Sequence, residues 1–264
     1  MQERHRNRRL YFNELANTSR NYYLGYICDF LQISSETRVL EIGCGEGGNL
    51  APFAEKGCQV CGIDINSGQI ENARRFFKED RLNGTFIHSD FLSASVPETD
   101  GDKYDLVLVH DVIEHIEPHY KLHFFEQMKQ FMKPSGVAFF GFPAWQMPFG
   151  GHQQICKGRI SKIPFLHLLP EHAYRKLLER AGEEAGLIEE LCSIHRSRMP
   201  VEKFEKLVGQ SEMEVLRCTF WIINPHYKQK FHLMPLREVW PLNAIPYLRN
   251  FYTTSAWYLI QQKR

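Results

Sequence analysis

Two clusters of residues in this sequence have the types and spacing for chemistry. The first is a carboxylate followed by closely spaced glycines: Glu41, Gly43, Cys44, Gly45, Glu46, Gly47 and Gly48. Asp64 stands about twenty residues downstream, and Ser89, Asp90 and Phe91 follow later. The second cluster is His110, Asp111, Glu114 and His115, joined by a distant His152 beside the pair Gly150 and Gly151. A glycine-rich turn between a strand and a helix lets backbone approach a ligand closely. An acidic residue at the end of the next strand is placed to accept hydrogen bonds from ribose hydroxyls.

The glycines alone leave two ligands open. Gly43, Gly45 and Gly48 satisfy the GxGxxG of a dinucleotide site, whereas Glu41, Gly43, Gly45 and Gly47 satisfy an ExGxGxG spacing. A dinucleotide brings a doubly charged pyrophosphate, which Glu41 and Glu46 would repel. S-adenosylmethionine brings an ammonium and a sulfonium instead, and a carboxylate at the end of the first strand can hold the ammonium by charge-assisted hydrogen bonds. Asp64 would take the ribose, Asp90 the adenine amino group, and Phe91 would lie on the adenine ring. Among the reactive groups, His152 is the candidate general base, because an unperturbed imidazole titrates near neutrality. Trp145 and Phe149 would either wall an acceptor or pack the segment above it. Asp111, Glu114 and His115 form a DxxEH spacing whose members share a face on a helix or turn. The expectation is nevertheless that no metal is bound and that Glu114 and His115 only begin the next helix.

These residues need a scaffold, and the hydrophobic pattern supplies one. Apolar groups at Tyr23, Ile27, Phe30 and Leu31 predict a helix over residues 19–33 ahead of the first strand. Strands are predicted over 38–42, 59–63, 85–88, 104–109 and 137–142, with helices over 48–56, 67–80 and 119–132. That alternation specifies an α/β fold with a doubly wound, mostly parallel sheet, whose carboxyl-edge crevice is where ligands bind. Residues 144–200 then break the rhythm with Pro148, Gly150, Gly151, Gly158, Pro164 and Pro170, followed by a helix over 171–184. This stretch reads as a helical lid insertion over the active face. A helix over 201–209, a strand over 215–223, a long proline-punctuated connection over 224–250 and a strand over 252–260 complete the chain.

The segments Leu40-Glu41-Ile42-Gly43-Cys44-Gly45-Glu46-Gly47, Gly62-Ile63-Asp64-Ile65, Ser89-Asp90-Phe91 and Tyr104-Asp105-Leu106-Val107 with His110-Asp111-Val112-Ile113-Glu114-His115 resemble the class I S-adenosylmethionine-dependent methyltransferase superfamily. The likeness is to its small-molecule branch, which includes ubiquinone-biosynthesis O-methyltransferases, and it covers residues 36–143. It implies a Rossmann-like seven-stranded sheet of order 3-2-1-4-5-7-6 with an antiparallel last strand. It also implies that Cys44, Ile65, Ser89 and His110 lie near the cofactor and that Asp111 or Val112 faces the methyl group. The expected organisation is one methyltransferase domain over 1–264: an N-terminal helical segment 1–36, a cofactor-binding core 37–143, the lid 144–200 and a C-terminal part of the sheet 201–264. The expected activity is methyl transfer to a small molecule, with a hydroxyl oxygen as acceptor. An NAD-linked oxidoreductase and a non-catalytic cofactor-binding protein are the alternatives.

Bulk properties narrow this further. With 32 Lys and Arg against 31 Asp and Glu, the net charge is +1, and the chain lacks the overall field of a phosphate-tracking protein. No nucleic-acid partner is expected. Arg4, His5, Arg6, Arg8 and Arg9 form a basic cluster read as a solvated tail. Asn224, Pro225, His226 and Tyr227 resemble the NPPY of nucleic-acid amino-methyltransferases but stand after the wrong strand. No apolar run reaches the ~18 residues of a membrane span, and seven cysteines suit free thiols in a reducing compartment. Cys58 and Cys61, three apart on a strand, point to opposite faces and are not a metal pair. A cytoplasmic monomer or homodimer is the resulting expectation.

Overall fold

The computed structural model describes residues 7–263. Its centre is one eight-stranded sheet of order β3-β2-β1-β4-β5-β8-β6-β7. Strands β1 (Arg38–Ile42), β2 (Gln59–Asp64), β3 (Thr85–His88), β4 (Tyr104–His110) and β5 (Met132–Phe142) are mutually parallel. β8 (Ser255–Gln262) runs antiparallel between β5 and β6 (Met213–Ile223). The strand expectation holds in order and direction, with one addition. A two-residue strand β7 (Leu236–Arg237) pairs with the edge of β6, inside the connection that reads as irregular.

The sheet is covered on both faces, which is why its central strands are apolar throughout. On one face lie α1 (Arg8–Thr18), α2 (Leu24–Cys28), α3 (Ala51–Glu55) and α4 (Ser67–Glu79), packed over Val39, Leu106, Leu108 and Phe139. α4 turns Ile70, Ala73, Phe76 and Phe77 inward at helical spacing, and Asn66 caps it by accepting from the Gln69 N–H. On the other face α5 (Lys121–Phe131) and α8 (Val201–Gln210) pack over Leu40, Val107, Val109 and Phe140.

Several boundaries differ from the sequence expectation. The N-terminal helical segment starts at Arg8 and passes through a π-helical turn, Ser19–Tyr23, before ending at Cys28. The basic cluster is thus only partly a tail: Arg8 pairs with Glu46, and Arg9 with Glu79 and Asp80. Arg4, His5 and Arg6 lie outside the described residues. The helix expected over 171–184 stops as α6 (Glu171–Arg180), because Gly182 takes a left-handed conformation; α7 (Ala185–Ser197) follows. These two helices, with Trp145, Cys156 and Ile160, bury a small core of their own above the carboxyl edge of the sheet. A last helix, α9 (His226–Phe231), fills part of the connection after β6. No helix among the described residues is long and apolar enough to cross a membrane.

Candidate active site

The carboxyl ends of β1 and β4 open into a cleft of about 450 Å³. Its floor is the glycine loop. Gly43 has φ +70°, and a Cβ there would come within 2.4 Å of Val112 Cγ2, so both the conformation and the space demand glycine. At Gly48 a Cβ would stand 2.6 Å from the Phe12 carbonyl oxygen, so this glycine lets α1 lie directly on the loop. The close approach of α1 brings Arg8 onto Glu46, and both line the cleft.

Glu41 does not line the cleft. It is 1% exposed and lies one layer below, where its Oε1 accepts from Asn49 Nδ2 at 2.7 Å. Asn49 itself reaches the cleft wall, and its carbonyl accepts from the Ser19 hydroxyl of the π-helical turn. The second Glu41 oxygen is buried and has no hydrogen-bond partner among the described residues. Burial pushes the Glu41 pKa up to about 8. Glu41 thus stands behind Asn49 rather than on the cleft surface where a direct contact was expected. Asp64 ends β2 as expected, but both its oxygens already hold backbone: Oδ2 accepts from Gly45 N and Oδ1 from Asn66 N, each at 2.8 Å. It fixes the glycine loop to the second strand and keeps lone pairs for a diol.

Of the outer residues, Ile65 is 71% exposed at the rim, and its carbonyl meets His88 Nε2. Ser89 donates its backbone N–H to the Asp64 carbonyl. Asp90 is exposed and caps a short turn by accepting from Leu92 N. Phe91, expected to lie on an adenine, instead packs its ring on Phe124 and Phe131 in the core and does not line the cleft. Cys44 is a buried free thiol on the cleft floor.

The reactive side is built on the end of β4. His110 lies opposite Gly141 of β5, where a Cβ would come within 2.5 Å of the ring. Tyr23, from the π-helical turn, packs on the other side at 5.4 Å. Asp111 follows with φ +53°, a conformation that costs a non-glycine residue about 1–2 kcal/mol, and it presents a half-exposed carboxylate 3.4 Å from His110 Nδ1. His152, also at positive φ, comes down from the lid. Its Nε2 lies 4.0 Å from Glu114 Oε1, and its ring stands edge-on to His115 at 5.0 Å.

Glu114, His115 and His152 each offer one ligand atom, and the three atoms lie within 4.8 Å of one another. Asp111, expected in such a set, is not a member; His152 takes its place. Among the described residues, neither buried Glu114 oxygen has a hydrogen-bond partner, and burial holds this carboxyl well above its ordinary range. Burial also lowers His115, which keeps an exposed edge, and pushes His152 down to about 3. The near-neutral titration that suggested His152 as a base does not hold. Two neutral imidazoles and a carboxyl that a bound cation would ionise match the donor set of a transition-metal cation, so the donors fit such an ion.

The remaining walls escaped sequence reading because they come from distant segments. Tyr11 and Leu15 arrive on α1, Gln69 on α4, and Asn224, His226, Tyr227 and Lys230 from the start of α9. The Asn-Pro-His-Tyr set aside from its position in the chain thus borders the cleft. Met147 and Phe149 line it from the lid, while Trp145 packs into the lid core against His167 and His195.

A methyltransferase-domain family matches residues 39–136. The ubiquinone biosynthesis O-methyltransferase of Rickettsia conorii is 36% identical over 105 residues, covering 39% of this chain and 34% of the relative. The enzyme of the same name from Histophilus somni is 27% identical over 177 residues, covering 61% of this chain and 69% of the relative. The chain thus spans only about a third of the Rickettsia conorii relative. Among solved structures, an S-adenosylmethionine-dependent methyltransferase from Clostridium acetobutylicum superposes with a TM-score of 0.59 at 11% identity, covering 94% of this chain and 92% of that one. Magnesium protoporphyrin IX methyltransferase from Synechocystis PCC 6803 with bound SAH gives 0.55 at 14% identity, covering 95% and 84%. At such identities these likenesses bear on the fold alone.

Proposed function

We propose that this chain, whose residues 39–136 match a methyltransferase-domain family, is a class I S-adenosylmethionine-dependent methyltransferase that transfers the methyl group of bound S-adenosylmethionine to a hydroxyl oxygen of a small-molecule acceptor. The observation that carries the reading is the convergence of Glu114, His115 and His152 beside the cofactor cleft. One carboxylate and two imidazoles suit a first-row divalent cation such as Zn2+ or Mn2+ better than Ca2+ or Mg2+. A cation held there would lower the pKa of an acceptor hydroxyl and fix its oxygen. The name of the Rickettsia conorii relative supports oxygen as the methylated atom.

The chain's own groups supply alignment, which an in-line displacement needs above all. Asn49, backed by Glu41, receives the cofactor's ammonium, and Asp64 receives its ribose. His110, wedged between Tyr23 and Gly141, and Asp111 shape the space between sulfur and acceptor. Met147, Phe149 and Pro143 keep water from the sulfonium. The acceptor oxygen forms a bond to the methyl carbon as the carbon–sulfur bond breaks. The acceptor proton passes to solvent in the open cleft, and the sulfur departs as a neutral thioether. Seven unpaired cysteines support a reducing compartment such as the cytoplasm for this chemistry.

Calorimetry with S-adenosylhomocysteine and NADH, followed by transfer of labelled methyl to a catechol, tests the reading. Binding of S-adenosylhomocysteine and a transfer rate abolished by EDTA and restored by Mn2+ or Zn2+ are expected. Binding of NADH alone overturns it, and full transfer after chelation removes the cation.

A further inference from the structure

We propose that the acceptor is an anion whose carboxylate or phosphate is held by Arg159 and Lys162 in a second cavity beside the cofactor cleft. The inference rests on the methyl-transfer reading and deepens it. The second cavity, of about 860 Å³, shares Phe149, Gln154, Tyr227 and Lys230 with the cleft, so one extended molecule can occupy both. Its outer wall is the short helical turn Arg159–Lys162. Ile160 of that turn is 4% exposed and anchored in the lid core, which fixes the turn while its two cations stay in solvent at the cavity.

Those cations are uncompensated. Arg159 and Lys162 have neither a side-chain hydrogen bond nor an ion pair among the described residues, whereas Lys157 beside them pairs with Glu184. The nearby Glu183 carboxylate is occupied by the backbone N–H groups of Lys157 and Gly158. The segments that build the cavity explain the imbalance. Residues 127–170 and 215–237 contain no Asp or Glu, in a chain where acids and bases are otherwise matched 31 to 32. Among the described residues, no acidic side chain lines the cavity. A guanidinium beside an ammonium, over low-dielectric walls, is the arrangement that receives a carboxylate or a phosphate through charge-assisted bonds.

The test is calorimetry on the chain loaded with S-adenosylhomocysteine, at low ionic strength, with inorganic pyrophosphate in one arm and glutarate in the other. The wild-type chain binds at least one anion, and the tighter arm tells phosphate from carboxylate. In the R159A/K162A double variant the affinity falls about tenfold or more, since two charge-assisted contacts are lost, while affinity for S-adenosylhomocysteine stays within twofold. Both side chains are exposed, so the variant keeps its fold, which the unchanged S-adenosylhomocysteine affinity verifies. Absence of anion binding to the wild-type chain, or equal affinity in the variant, overturns the proposal. The S-adenosylhomocysteine isotherm from the same cell reports separately on the methyl-donor reading.

Discussion

Replacing Glu41 by glutamine should make the cofactor-free protein more stable and the cofactor weaker-binding. The folded chain holds the Glu41 proton up to about pH 8 because the carboxyl is buried with one unpartnered oxygen. The unfolded chain releases it near the ordinary 4.5. Folding therefore takes up a proton between these values, and stability falls as pH rises through that window. At pH 7 the penalty spans 2.5 pH units, about 3 kcal/mol at 1.36 kcal/mol per unit. Glutamine keeps the bond to Asn49 but leaves two unmet N–H donors where the protonated acid leaves one O–H, so only part of that penalty disappears. The E41Q variant should gain about 1–2 kcal/mol at pH 7, roughly 2–8 °C in Tm for a chain of this size. It should gain almost nothing near pH 4. Urea unfolding at pH 4.5, 7 and 8.5 measures the difference. Binding should move the other way. The cofactor's ammonium ionises Glu41, so the wild-type chain releases about one proton on binding at pH 6–7, and affinity rises with pH. The variant should release none and bind about tenfold or more weakly, because the carboxylate charge behind Asn49 no longer attracts the ammonium. A variant that is less stable at pH 8.5, or that binds as tightly as the wild type with the same proton release, would refute this account.

Gly43→Ala introduces a left-handed alanine and a 2.4 Å clash with Val112. It should weaken S-adenosylhomocysteine by more than about tenfold, and adding Val112→Ala should recover only the part due to the clash, leaving about 1 kcal/mol of backbone strain. Either Glu114→Gln or His152→Ala should lower Zn2+ affinity by about a hundredfold or more in a competition assay with a coloured chelator, exceeding the tenfold to hundredfold typical of outer-shell partners. Glu114→Gln should also stabilise the metal-free chain above pH 5, because burial holds that carboxyl protonated in the folded state. Arg8→Ala strands the buried Glu46 carboxylate beneath α1. Since Arg8 is itself partly exposed, the loss should be about 1–2 kcal/mol by chemical denaturation, with the cofactor weakened in parallel.

Much of this site is written locally. The ends of β1 and β2 carry Glu41 and Asp64 because strand periodicity fixes where each strand stops, and the glycines mark the turn between them. The segment over 144–200 is legible as a break in rhythm. Its second helix is not, because Gly182 divides a pattern that runs on in polarity through residues 171–197. Phe91 shows the converse limit. Its position after β3 suggests a ligand contact, yet an aromatic ring turns to whichever side buries it, and here Phe124 and Phe131 offered the larger apolar surface.

The sequence by itself determined the α/β alternation, the glycine loop, the acidic ends of the first two strands and hence the methyl donor, since each depends on neighbours within a few residues. The tertiary structure decided the rest. It set His152 against Glu114 and His115, Arg8 on Glu46, and Arg159 and Lys162 around a cavity shared with α9. Those meetings join residues tens of positions apart. They are fixed by how the lid core and α1 pack onto the sheet, which depends on side-chain volume and topology and leaves no periodic trace in the chain.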